Sequence, residues 1–214
     1  MNSAKSDSLD RRHFVKTCGA CISGLLASVP QASPAGQFTG QIRKALKYHM
    51  VAGDLSVEDK FRMVKDLGFD GIEVRAVLDP QKGEQVRSFG RASELAGLPI
   101  HGLIHSSNPD LVGAIDQAKS LGATSVLHVV GYDRSIPYLE NHRRTQAIIR
   151  RAVDHAEKQQ VMILVENVWA SYLIEPMGMA RFLDGFDSPM VGAYFDVGNV
   201  VRWGWPQHWL EVLG

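Results

Sequence analysis

The chain has 214 residues, 45% hydrophobic and 21% charged, which is ample apolar mass for one globular core. Lys plus Arg and Asp plus Glu both count 23, a formal net charge of +0, so composition supplies no field for steering nucleic acid or an anionic membrane. Neither is expected as a partner of the mature protein, which leaves a small molecule.

The N-terminus reads as an address. Polar residues Met1 to Asp10 precede Arg11-Arg12-His13-Phe14-Val15-Lys16, and Thr17 to Val29 is a run of small and apolar residues without charge. That run is too short to span a bilayer core of about 30 Å but suits the h-region of a signal. The paired arginines resemble the twin-arginine export signal of bacteria. Residues 1–35 are therefore expected to be a signal cleaved after Ala35 (or Ala32), residues 36–43 a linker and 44–214 the folded domain, with an exported, periplasmic location and a cytoplasmic one as the alternative. Cys18 and Cys21 form a C-x-x-C pair, but both lie in the h-region and no second pair exists, which argues against redox or zinc-finger chemistry.

The body of the chain alternates strand and helix. Ala45 to Val51 is the first expected strand. Ser56, with Asp59 three residues on, approximates a capping box for a helix with Val57, Phe61, Val64 and Leu67 on one face and Gly68 as its stop. The same reading gives strand Gly71 to Val77, helix Lys82 to Ala96, strand Ile100 to Ile104 and helix Asp110 to Leu121. Strand Ser125 to Val130, helix Tyr138 to Lys158 and strand Val161 to Val165 follow. A short helix near Met179 to Leu183, strand Val191 to Phe195 and helix Pro206 to Leu213 complete the chain. Such alternation means a parallel α/β sheet, either doubly wound or a (β/α)8 barrel.

Two of these strands carry the chemistry. Val161 to Trp169 and Met190 to Asn199 are apolar runs that end in Glu166 and Asp196. As parallel neighbours joined by a right-handed crossover they end on the same edge of the sheet. Two carboxylates at one mouth repel unless a cation sits between them, and oxygen-rich ligation suits a divalent metal. The plainer reading makes each acid a helix N-cap or an ion-pair partner at a strand end.

Other strands also end in polar groups: His49, Glu73, His105 and His128. No G-x-G-x-x-G or G-x-x-x-x-G-K is present, which argues against a nucleotide-binding open sheet, whereas polar groups from many strand ends suit the mouth of a barrel. Six βα units are counted where a closed barrel needs eight, so the expectation is a (β/α)8 TIM-barrel domain present only in part.

The segments Gly71-Ile-Glu-Val, Leu164-Val-Glu-Asn-Val-Trp, Tyr194-Phe-Asp-Val-Gly-Asn-Val and Gly204-Trp-Pro-Gln-His-Trp resemble the xylose-isomerase-like TIM-barrel superfamily, most closely its sugar-phosphate isomerases and epimerases. The resemblance implies a divalent metal (Mn2+, Mg2+, Co2+ or Zn2+) held by Glu166, Asp196, and a His and a Glu from strands seven and eight that would lie beyond Gly214. It also implies that Glu166 is one of two acid–base carboxylates. A proton next to a carbonyl is too weakly acidic to remove at neutral pH unless the enediolate oxygen is stabilised, and a metal with a carboxylate base meets that need.

Substrate contacts are expected from His105, Glu73, His49, Asn199 and Trp169, with Trp203 and Trp205 as a further apolar wall. His128, inside its strand, is expected to fill the barrel. Glu73 has an ion pair with Arg75 or Lys44 as its structural alternative. The leading expectation is a metal-dependent isomerase or epimerase of a keto-sugar or its phosphate, with this chain by itself inactive. The alternatives are another reaction on the same barrel, such as a dehydratase or endonuclease, or a non-catalytic truncated barrel.

Overall fold

The structure, a computed structural model, describes residues 42–202 and 204–214. The expected signal segment, its cysteines and Trp203 lie outside the described residues. Arg43–Gly214 forms one unit. Its strands are β1 (Ala45–Lys47), β2 (Gly71–Arg75), β3 (Ile100–Ser106), β4 (Ser125–His128), β5 (Met162–Glu166) and β6 (Val191–Tyr194). Its helices are α1 (Val57–Asp66), α2 (Gly83–Ala96), α3 (Leu111–Ser120), α4 (Tyr138–Gln159), α5 (Pro176–Asp184), α6 (Val197–Val201) and α7 (Pro206–Leu213).

The strands form one parallel sheet in the order β1-β2-β3-β4-β5-β6, with β1 and β6 as its edges. An unbroken sequential order is that of a barrel wall and not of a doubly wound sheet, whose order reverses at a switch point. The fold is accordingly of TIM-barrel type, with six strands that do not close on themselves.

Local chemistry sets the helix boundaries. The Ser56 hydroxyl accepts the Asp59 amide at 3.1 Å and donates to the Asp59 carboxylate at 2.7 Å. This is half of a capping box, because aspartate turns to the hydroxyl and not back to the Ser56 amide. Asp110 accepts the Gly113 amide at 3.0 Å to open α3, and Gly97, at φ +59°, closes α2 in the left-handed conformation that favours glycine.

The core lies between the sheet and its helices. Ile72, Val74, Leu103, Val126, Ile163 and Val165 point into it and meet Phe61, Phe89, Ala114, Ile149 and Phe182. Each of the larger of these side chains stabilises the fold by about 1.5–3 kcal/mol through burial. Side chains alternate along a strand, so Lys47, Glu73, Gly102, Leu164, Glu166 and Tyr194 share the opposite, inner face.

The first expected strand is too long. Pairing ends at Lys47↔Glu73, and Tyr48–Met50 is a 3-10 turn whose Tyr48 ring packs on Phe61 (6.0 Å) and Phe89 (5.1 Å). Aromatic packing pulls the chain off the ladder, so His49 sits on the turn. Strand β2 likewise stops at Arg75 and β4 at His128, short of Val77 and Val130, while β3 runs on to Ser106 past a bulge between Ile104 and Ser106. Helix α6 was not expected, because five residues are too few to show a helical period.

Candidate active site

Glu166 is the last residue of β5 and pairs in register with Tyr194. Asp196 follows two residues later as the N-cap of α6, its carboxylate accepting the Asn199 amide at 2.8 Å. Asn167 locks the two strand ends together. Its amide nitrogen donates to the Asp196 carbonyl at 2.8 Å and its amide oxygen accepts the Asp196 N–H at 2.7 Å, which extends the ladder by a side chain. The Asn199 side chain in turn donates to the Asn167 carbonyl at 2.8 Å. Asn167 thus fixes Asp196 beside the end of β5, and the Glu166 and Asp196 carboxyls are close enough to interact. Burial raises the Glu166 pKa, Lys47 opposes that shift, and the neighbouring Asp196 adds to it.

Both plain roles are met as well: Asp196 caps a helix, and Glu166 has an ion-pair partner. Lys47, the inward residue at the end of β1, places Nζ 3.8 Å from Glu166 Oε1 and 5.7 Å from the centre of the Tyr194 ring. Tyr194 donates its hydroxyl to Glu73 at 3.3 Å, joining β6 to β2 across the inner face. Glu73 is 1% exposed and its Oε1 has no hydrogen-bond partner. Burial lifts its pKa most, while Lys47 and the Tyr194 bond pull it down and Glu166 adds a further rise. Neither Arg75 nor Lys44 takes the ion-pair role considered for Glu73; Lys47 is the cation acting on it. Lys47 and Tyr194 are the members of the site that sequence reasoning missed, and of Asn167, already conspicuous beside Glu166, it missed the clamping role. Inward parity on the edge strand was the available signal for Lys47, and the Asn directly after the strand-end Glu was the signal for Asn167.

The other expected residues divide. Asn199 and Trp169 stand at the same rim, with the Trp169 indole donating to the Asn199 carbonyl at 3.1 Å and the Arg202 guanidinium 4.4 Å above its ring. Trp169 is 58% exposed, which leaves a ring face for a ligand. His49 is exposed on its turn, and its pKa is lowered by partial burial and then by Arg75 and Lys47. His105 and His128 lie elsewhere. Their rings stack at 6.1 Å, both are buried, and His105 Nε2 and His128 Nδ1 lack partners. Burial lowers both pKa values, and the His105 ring adds to the fall of His128 to about 4. His128 follows the core residue Val126 by two and so shares its helix-facing side. A cavity of about 330 Å³ behind the clamp is lined by Asn167, Leu173, Asn199, Val200 and Trp209, not by the two carboxylates.

Two neighbouring carboxylates fit two oxygen ligands of a hard divalent cation, whose charge would relieve their mutual repulsion. Among the described residues, no group of three or more His, Cys, Asp and Glu gathers at one point.

The sequence profile of the xylose isomerase-like TIM barrel matches residues 61–214. The chain belongs to this family. The six-stranded sequential sheet is thus part of a xylose isomerase-like barrel wall, and the Glu166–Asp196 rim is its carboxyl-end face. Among solved structures, 3-keto-D-glucoside 4-epimerase from E. coli is 12% identical with a TM-score of 0.62, over 72% of this chain and 68% of that one. D-allulose 3-epimerase from Methylomonas sp. in complex with D-allulose is 20% identical with a TM-score of 0.60, over 72% and 62%. A xylose isomerase-like TIM barrel protein from Mycobacterium smegmatis in complex with magnesium is 19% identical with a TM-score of 0.58, over 75% and 66%. The chain spans about two thirds of the length of these structures, and at such identities the likeness establishes the fold. Comparison with curated proteins gives no match. Among the described residues, no helix is long and apolar enough to cross a membrane.

Proposed function

We propose that this xylose isomerase-like chain serves a divalent-metal-dependent isomerase or epimerase of small keto-sugars, which removes a proton from the carbon next to a carbonyl. The observation that carries the reading is the Glu166–Asp196 pair, clamped side by side at the carboxyl end of two parallel strands. Glu166 is the base: its side chain is only 10% exposed, and desolvation gives it a higher proton affinity than a surface glutamate. Glu166 and Asp196 would hold the divalent ion, whose chemistry is to stabilise negative charge on the substrate oxygen. Asn167 and the Asn199 amide fix Asp196, so the carboxylate needs no reorganisation when charge develops. Trp169 offers an apolar face to a sugar ring, and Asn199 stands at the same rim. The sugar epimerases among the structural neighbours support this substrate class.

The test is solvent-deuterium wash-in at the carbon next to the carbonyl of ketoses, with and without Mn2+. Exchange needs one base, so it reports on Glu166 independently of a second acid. In a form that carries a complete barrel, metal-dependent exchange that disappears in Glu166→Gln is expected, and undiminished exchange in that variant would sink the base assignment. Sugar binding without exchange would favour a binding barrel.

The Arg11-Arg12 motif supports export to the periplasm and, since sugar phosphates are chiefly cytoplasmic, an unphosphorylated substrate. Changing both arginines to lysine keeps the charge but loses the paired guanidinium groups, and should hold the protein in the cytoplasm. An unchanged periplasmic fraction of that variant would remove the export reading.

A further inference from the structure

Glu73 and Glu166 act on each other across the inner face, and Asp196 acts on Glu166 in turn; carboxylates withdrawn from water without a compensating charge are costly. Lys47 answers part of that charge. It is the inward residue of the edge strand, paired in register with Glu73. Its ammonium lies 3.8 Å from Glu166 Oε1 and over the Tyr194 ring, whose hydroxyl is bonded to Glu73. The ammonium is thus placed among Glu73, Glu166 and Tyr194, on the same carboxylate that would ligate the metal.

The contact has the character of a displaceable one. At 3.8 Å it is an ion pair beyond hydrogen-bond distance, and the Lys47 side chain is 30% exposed against 10% for Glu166. A lysine on a flexible four-carbon stem can swing its charge into water at little cost, whereas Glu166 is held by its strand.

We propose that Lys47 is the resident counter-ion of this acid cluster and competes with a divalent cation for Glu166. The inference rests on the metal reading above. Lys47 offsets part of the carboxylate charge while no metal is bound, and its charge lowers the affinity and raises the exchangeability of the metal. A unit charge about 4 Å from a ligating oxygen, partly screened by water, is expected to weaken divalent binding about tenfold.

The experiment is a Mn2+ titration of the full chain, freed of metal by chelation, at fixed pH and ionic strength, followed by the electron paramagnetic resonance of free Mn2+. Lys47→Met is expected to bind Mn2+ about tenfold more tightly than the unchanged chain, and Lys47→Arg, which keeps the charge, within about twofold of it. Lys47→Gln serves as a second neutral variant, with thermal melting to show that each is folded. Equal or weaker binding by the folded neutral variants overturns the competition and leaves the metal reading standing. No Mn2+ binding by any form overturns both.

Discussion

The β5–β6 rim and the β3–β4 rim each place two titratable side chains at the ends of adjacent parallel strands, yet they have opposite chemistry. Glu166 and Asp196 are drawn together by the Asn167 clamp, with Lys47 as a counter-charge. His105 and His128 are stacked and buried, and His128 faces the helices; their pKa values are lowered, so they are neutral at physiological pH. Burial alone therefore does not make a reactive site. A buried carboxylate with a like charge beside it is driven toward protonation or toward a cation, which is a usable tension. A buried imidazole simply gives up its proton and becomes packing.

The sharpest break between the two rims is expected in activity. In a complete barrel, Glu166→Gln should lower metal-dependent exchange by about 10²–10⁴-fold, and Asp196→Asn should weaken Mn2+ binding with it, whereas His128→Asn should change exchange only mildly. Comparable losses from His128→Asn, measured by deuterium wash-in, would erase the distinction.

The rims should also respond to pH with opposite sign. His128 has a folded pKa of about 4 against an ordinary histidine value of 6.5, so between these values the unfolded chain binds the proton that the folded chain refuses. Stability is then lost as pH falls through that window, by about 3 kcal/mol from this group. Glu73 and Glu166 have raised pKa values, so their contribution is complete below about 4.5 and is lost as pH rises through their folded values. Urea unfolding across pH should show His128→Asn flattening the loss of stability on the acid side and Glu73→Gln flattening the loss of stability as pH rises above about 4.5. A shared direction of change in the two variants would contradict the assignment of charge states.

The smallest effect is expected from Tyr194→Phe. Removing the hydroxyl that bonds Glu73 leaves both carboxyl oxygens of that buried group unpartnered, at a cost of about 1–3 kcal/mol. A loss of that size in unfolding free energy, with Mn2+ affinity little changed, would place Tyr194 as a support of Glu73. A large drop in Mn2+ affinity would instead draw it into the ligand cluster.

The sequence by itself determined the alternation of strands and helices, because apolar runs and capping residues such as Ser56, Asp110 and Gly97 act within a few residues of where they stand. It also set Glu166 and Asp196 at strand ends, since a buried parallel strand reads as a continuous apolar run up to the first charge, and the family motifs in residues 61–214 are contiguous in the chain. It did not set the end of β1, where Tyr48 leaves the ladder to meet the rings of Phe61 and Phe89. Nor did it tell His105 from Glu166, because the face a strand-end side chain takes depends on parity, and a bulge such as that after Ile104 alters parity without a local signature. The charge balance of the site was decided by tertiary structure alone. Lys47 meets Glu166 and Tyr194 meets Glu73 across more than a hundred residues of chain, contacts that exist only once six strands have come into register.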